Sequence, residues 1–223
     1  MVGRLMFGIF IDVTGRKQAE EGNELLAGEM SHRVKNLLAI ASGLTSITSR
    51  STSTTEDMAR QLIQRLTALG RAHDLVRPLP GEQGKAALLG DLIAVLLAPY
   101  DDMGPFSGRV RVSVPRMGVG EGTANTLALV LHELATNSLK YGALSSATGT
   151  LDISCCDVGD DVIEIGWTER GGPAIRPPEA TEGYGSKMVS RVLASQLSGT
   201  IERNWSPEGV IVTVRMRKQR LAA

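Results

Sequence analysis

The sequence has no net charge: 24 Lys and Arg balance 24 Asp and Glu over 223 residues. Nucleic-acid grips and polybasic membrane anchors both need a basic excess, so neither is expected. No run approaches the ~20 apolar residues that a membrane-spanning helix requires. The N-terminus lacks the basic-then-apolar layout of a signal peptide. Cysteine is almost absent, with Cys155 and Cys156 the only two. Adjacent in a segment that reads as a strand, they point to opposite faces, which suits neither a zinc site nor a disulfide framework. Histidine is nearly as scarce, at His32, His73 and His132. Apolar side chains are present in ordinary amount, 42% of the chain. That is enough to bury a real core at a length that fits one or two domains. The expectation is a cytoplasmic protein with no membrane or nucleic-acid partner.

Residues Phe7 to Val13 are short, β-branched and aromatic, and read as a strand. A long helical pattern begins near Gln18. Its seam, Leu26, Met30, Arg33, Leu37, Ile40, Leu44 and Ile47, alternates steps of four and three, the spacing of a bundle or coiled coil. The polar run Ser49 to Thr55 breaks it. Ser53 with Glu56 forms a capping box that opens a second helix, seamed by Ala59, Leu62, Ile63, Leu66 and Leu69 and ending before Pro78. A lone two-helix hairpin cannot bury its stripe, so pairing with a second copy is expected. Beyond Pro80 the pattern predicts a helix from Ala86 to Leu97, a strand at Arg109–Val114 and a helix from about Gly122 to Tyr141. Strands follow around Leu151–Asp157 and Val162–Thr168, then a Gly/Pro-rich loop to Gly185, a helix to Leu197 and a strand at Val210–Arg217. This mixture without regular βαβ spacing predicts an α+β chain: a helical hairpin, then an α/β sandwich with helices on one face of a mixed sheet.

Four clusters carry chemistry. Glu29, His32 and Asn36 are spaced to stack on one helical face, with His32 about 100° off the seam residue Arg33. A neutral imidazole beside a carboxylate is a competent nucleophile, although the triplet alone also reads as a solvated helix surface. On the third long helix Leu127, Val130, Leu131 and Leu134 form an apolar stripe, while Glu133, Asn137, Lys140 and Tyr141 recur on another face. Oxygen ligands beside an ammonium suit a magnesium–phosphate site; a solvated face is the bland alternative. On the strand, Ile163, Ile165 and Trp167 share a core-facing parity. Glu169 continues it, a buried carboxylate in need of a donor such as a ligand amino group. Finally, Gly183-Tyr-Gly185-Ser186 opens a helix, where backbone N–H groups and the dipole favour phosphate.

Together and in this order, the four resemble the HWE branch of bacterial sensor histidine kinases, named for residues matched here to His132, Trp167 and Glu169. Glu29-Met-Ser-His-Arg-Val-Lys-Asn36 is similar to that family's phosphoacceptor box, and His132–Tyr141 to its N box. Trp167-Thr-Glu169 with Gly171-Gly172-Pro173 is similar to its first glycine box, and Gly183-Tyr-Gly185 to its second. Gly8-Ile-Phe-Ile-Asp-Val-Thr-x-Arg-Lys17 is similar to the last strand and exit motif of a PAS sensor domain. The resemblance implies a PAS-like end over 1–18, a dimerisation and histidine-transfer hairpin over 19–78 and a Bergerat-type ATP-binding domain over 82–219.

It also implies that ATP and Mg2+ are used, that His32 accepts phosphate and that a response-regulator receiver domain receives it. Asn137 would ligate magnesium with Glu133 in support, and Lys140 would meet phosphate. Tyr141 would lie beside the nucleotide, Glu169 would accept the adenine amino group, and Gly171, Gly172, Gly183, Gly185 and Ser186 would line the mobile lid and phosphate end. Where commoner histidine kinases place an acid after the phosphoacceptor, this chain has Arg33, suited to attract the γ-phosphate. Glu29 is then favoured over Glu133 for orienting His32 or taking its proton, and Asn36 sits where related kinases position water for regulator dephosphorylation. His73 and His132 are expected to be structural. Two other classes fit part of the pattern. A GHKL ATPase or serine kinase of the anti-sigma type is disfavoured by His32 on a hairpin. A degenerate kinase serving as a dimeric scaffold is disfavoured by Asn137, Glu169 and the glycines.

Overall fold

The computed structural model describes residues 14–76, 87–101, 108–173 and 184–221. The strand expected over 7–13, the Pro78–Gly81 break and lid residue Gly183 lie outside them. The chain divides into two compact units, Met1–Thr45 and Ser46–Ala223.

Helix α1 spans Thr14–Ser51, so it starts earlier and ends later than the sequence pattern predicts. Arg16 and Glu20 pair one turn apart at 3.3 Å in its opening turns. The polar run breaks the helix as expected, over Thr52–Thr54, and only its first residues stay helical. Its hydroxyls bond back to carbonyls of the preceding turn, Ser49 to Ser46 at 2.9 Å and Thr52 to Thr48 at 2.8 Å. Within the first unit Met30, Val34 and Leu38 are exposed at 66%, 51% and 61%. Met30, expected on the buried seam, therefore lies on an open apolar stripe with a step of four.

In the second unit α2 spans Thr55–Val76. Its cap is Thr54, whose hydroxyl accepts the Asp57 N–H at 3.1 Å, one residue later than the expected Ser53–Glu56 box. The same Thr-x-x-Asp spacing places an acid in the first turn, where the macrodipole favours it. The inward face is the expected one only in part, with Leu69 buried and Leu62 half-buried. Ile63 and Leu66 are exposed, while Arg65, Leu69 and Ala72 are buried, and α2 packs on the helix Glu121–Tyr141.

The remaining elements are β1 (Ala87–Leu88), α3 (Leu89–Asp101), β2 (Val110–Ser113), β3 (Gly118–Val119), α4 (Glu121–Tyr141) and a 3₁₀ turn (Ala143–Ser145). They continue with β4 (Thr150–Gly159), β5 (Val162–Arg170), α5 (Tyr184–Leu197), β6 (Thr200–Ser206), β7 (Gly209–Arg217) and α6 (Lys218–Leu221). The main sheet runs β2-β4-β5-β7-β6. Only β2 and β4 pair in parallel, and the other neighbours are antiparallel. A two-strand ladder joins β1 to β3. The architecture is α+β, two long helices followed by an α/β layer with a mixed sheet, as the sequence pattern predicts. β6 was not expected.

Register explains the core. Trp167 sits between Ile153 and Val212, and Ile165 between Cys155 and Val214, so each row on one face is apolar and buried. Cys155 belongs to that face and Cys156 is exposed. α3 packs on β2 and α5 on β6 and β7, with α4 contacting both helices. The chain end closes the layer: the Gly120 N–H donates to the Leu221 carbonyl at 2.8 Å, and the Thr123 hydroxyl donates to the Arg220 carbonyl. Both bonds hold the first turn of α4, which has no side-chain cap of its own. No described helix is long and apolar enough to cross a membrane.

Candidate functional site

Helix α4 is buried without interruption from Thr123 to Ala135, then emerges. Asn137 and Lys140 are exposed, and Tyr141 is 69% exposed. Glu133 shares their helical side by spacing but does not share their solvation. It is 6% exposed, and its Oε1 accepts the Nε–H of Arg65 from α2 at 2.6 Å. Arg65 also donates to the Thr48 hydroxyl near the end of α1. Two buried charges are tolerable here because they meet directly and the guanidinium has a second acceptor. The other carboxylate oxygen of Glu133 faces α5: a Cβ on Gly185 would lie 2.6 Å from Oε2. Gly185 thus lets the opening turn of α5 approach the acid of α4. Ser186 is half-buried in the same turn and its carbonyl accepts the Ser190 hydroxyl at 3.1 Å.

The second centre is the end of β5. Glu169 is 5% exposed and has two donors within the protein. The Trp167 indole N–H donates to Oε1 at 2.8 Å, and the Ala143 backbone N–H donates to Oε2 at 2.7 Å. The donor that a buried carboxylate needs, expected from a ligand amino group, is therefore already supplied, and Trp167 is more than packing. Each oxygen keeps a further lone pair for another donor. Gly142 makes the approach possible, since a Cβ there would stand 2.0 Å from Glu169 Oε2. The Leu144 N–H, donating to the Ser138 hydroxyl at 3.2 Å, ties the same turn back to α4. Gly171 and Gly172 follow β5, and Gly172 lies against the Ala143 backbone.

His132 is buried and shares a 2.5 Å hydrogen bond through Nδ1 with the Tyr100 hydroxyl of α3. Burial holds its pKa down at about 4, outweighing the upward pull of Glu133, so the imidazole is neutral near pH 7. Burial, with the Glu133 charge second, pushes the Tyr100 hydroxyl up to about 12. His73 Nδ1 lies 3.4 Å from Glu121 Oε1, bringing the end of α2 to the start of α4.

Glu29, His32, Arg33 and Asn36 all fall in α1, within the first unit; their side chains lie outside what the structure describes. Arg65, Tyr100 and the Ala143 N–H are the site members that the sequence did not reveal. Arg65 left one signal, a charge on the same helical face as Leu69 and Ala72. The Ala143 amide left none.

Among the described residues, no group of three or more His, Cys, Asp or Glu could hold a metal alone. The motif residues on α4 that offer oxygen are Asn137, through its amide, and Glu133, whose Oε2 has no hydrogen-bond partner among the described residues. Such a sparse all-oxygen set fits magnesium, which keeps waters and draws ligands from substrate phosphates.

Residues 29–116 match the HWE histidine kinase family. The blue-light-activated histidine kinase of Brucella anthropi is 35% identical over 213 residues, covering 94% of this chain and 42% of that protein. The protein of the same name from Brucella ovis is 34% identical with the same coverage. The chain thus spans less than half the length of these curated relatives. Among solved structures, the histidine kinase domain of the Erythrobacter litoralis blue-light activated histidine kinase has a TM-score of 0.56 and 16% identity, covering 84% of this chain and 98% of that one. A longer structure of that kinase has a TM-score of 0.59 and 21% identity, covering 86% of this chain and 59% of that one. These two show the fold. With the curated relatives beside it, the segment 29–116 of this chain belongs to the HWE histidine kinase family.

Proposed function

We propose that this chain carries out ATP-dependent autophosphorylation of His32 and passes the phosphoryl group to an aspartate of a response-regulator receiver domain. One observation carries the reading: the Glu133 carboxylate of α4 meets the glycine-opened first turn of α5, the juxtaposition that a metal–phosphate site requires. Magnesium, when bound, would neutralise charge on the transferring phosphoryl group, and phosphoryl transfer needs little else beyond positioning.

The chain's own groups divide the work. Asn137 offers its amide oxygen to the metal, and Glu133 supports it through Oε2. Lys140, exposed one turn on, meets phosphate, and the first amides of α5 at Gly185 and Ser186 add donors. Glu169 accepts the adenine amino group on lone pairs that Trp167 and Ala143 leave free. Tyr141 flanks the base, and Gly171, Gly172 and Gly183 belong to the glycine boxes that the resemblance assigns to nucleotide binding. On the hairpin, an imidazole nitrogen of His32 forms the bond to phosphorus as the bond to the bridging oxygen breaks and ADP leaves. Glu29 orients the ring or takes its proton, Arg33 attracts the γ-phosphate, and Asn36 positions water for the reverse reaction.

The exposed stripe Met30, Val34 and Leu38 supports pairing with a second copy through the helical hairpin. We keep the division into a PAS-like end over 1–18, a hairpin over 19–78 and an ATP-binding domain over 82–219, in a cytoplasmic protein. The test is incubation with radiolabelled ATP and magnesium. Wild type should acquire acid-labile label and His32→Ala should acquire none, with ATP affinity nearly unchanged. Label that persists in His32→Ala, or that survives acid, overturns the assignment.

A further inference from the structure

Arg65 stands outside every motif that the resemblance supplied, yet it is the buried partner of Glu133, an acid that those motifs supply. Its exposure is 4% and that of Glu133 is 6%. It sits on α2, while Glu133 sits 68 positions later on α4. The guanidinium spends two different edges: Nε–H on Glu133 Oε1 at 2.6 Å and Nη1 on the Thr48 hydroxyl. A planar fork bonded in two directions fixes the orientation of what it holds, which a lysine ammonium on a flexible stem does not.

The Glu133 carboxylate is consequently held at both ends. Arg65 grips Oε1, and Oε2 is left against the Cα of Gly185, at the start of α5. We propose that Arg65 is a positioning residue for the metal–phosphate site: it aims the free oxygen of Glu133 at the magnesium-bound nucleotide. This rests on the ATP reading above and adds a role from α2. A carboxylate with one oxygen committed to a guanidinium is better suited to hold a metal-bound water through the other than to chelate the ion. Partners that orient a metal's supporting groups typically change metal affinity by about ten- to a hundred-fold when removed.

The experiment is calorimetric titration of the full chain with ADP, once with magnesium and once with a chelator. Wild type should bind ADP more tightly with magnesium. Arg65→Gln should lose about ten- to a hundred-fold of that enhancement while binding metal-free ADP as wild type does. A purely structural arginine would weaken both titrations together, and that outcome overturns the proposal. Glu133→Gln should lose the same enhancement, and the double variant Arg65→Gln/Glu133→Gln should lose no more than either single one. Losses that multiply show that Arg65 does not act through Glu133 and overturn the proposal. If Arg65→Gln does not fold, Arg65→Lys is titrated instead. It should lose part of the enhancement, and equality with wild type overturns the proposal. A wild type without magnesium enhancement, or a Glu133→Gln variant that retains it, overturns the metal reading and this one with it. Retention in Arg65→Gln alone overturns only this one.

Discussion

Trp167 donates its indole N–H to Glu169, two residues along the same strand and on the same buried face, at 2.8 Å. Period-two alternation makes the pair possible: strand β5 aims both side chains to the same buried face of the sheet. The two residues form one unit, an aromatic side chain in the apolar core whose polar edge helps hold a buried carboxylate at the end of the strand.

Removing the indole N–H while keeping an aromatic ring tests that unit. Trp167→Phe leaves Glu169 Oε1 one donor short. Unfolding stability in urea should fall by about 1.5–3 kcal/mol, the range for hydrogen bonds to charged groups, plus the smaller ring's packing loss. An unchanged urea midpoint would show that the bond contributes nothing.

Glu169→Ala should weaken ATP binding by about 1–3 kcal/mol through a lost charge-assisted bond and reduce discrimination of ATP over GTP. It should also destabilise the fold, because the Trp167 N–H and the Ala143 N–H lose their acceptor. Nucleotide titration at a temperature where the variant remains folded separates the two effects. Equal affinity of wild type for ATP and GTP would remove the adenine role.

Gly142→Ala inserts a methyl group 2.0 Å from Glu169 Oε2. Overpacking of this kind costs about 1–3 kcal/mol, and the carboxylate must shift away from Ala143 to relieve it. A lowered melting temperature with weaker ATP binding is expected; a wild-type melt would mean that the turn after α4 yields freely.

His132 makes stability depend on pH. Its pKa is held at about 4 in the folded state against 6.5 for the free side chain. Between those values the unfolded chain binds a proton that the folded chain does not, so stability is full above about pH 7 and declines as pH falls toward 4. The facing charges are Glu133, which opposes the shift, and Arg65 and Lys140, which add to it. This histidine should account for about 2–3 kcal/mol of the decline. His132→Gln should flatten the urea-midpoint profile between pH 7 and 4 relative to wild type. Parallel profiles would assign the decline to other groups.

Glu29→Gln should slow autophosphorylation by about ten- to a thousand-fold at neutral pH, at or below the usual general-base contribution. The rate of acid-labile label formation under single-turnover conditions measures it. A wild-type rate would pass the proton to Glu133 or to bulk water.

Legibility in the sequence followed the range of the forces involved. The core rows of β4, β5 and β7 are readable because alternation is a local signal, and α4 because its apolar stripe is long. β6 escaped notice: Thr-Ile-Glu-Arg-Asn-Trp-Ser is an edge strand without a fully buried residue, so its inward row carries Arg203 between Ile201 and Trp205. The face of α2 is legible only in part, through Leu62 and Leu69: Ile63 and Leu66 outrank Arg65 on any apolar scale, and the decision lies with Glu133, far along the chain. The Trp167–Glu169 parity was visible, but its hydrogen bond was not. The Ala143 amide comes from a turn whose position only the assembled fold sets.

The bonds from Gly120 and Thr123 to the last carbonyls of the described chain have a mechanical consequence. The backbone of Arg220 and Leu221 serves as the missing cap of the helix that bears Glu133 and Asn137. Tension, cleavage or a bulky fusion at the carboxyl end would therefore be felt first at the opening turn of α4, not at the sheet edge. A tag placed there would act as a handle on that helix, and its effect on ATP affinity should exceed that of the same tag at the amino end.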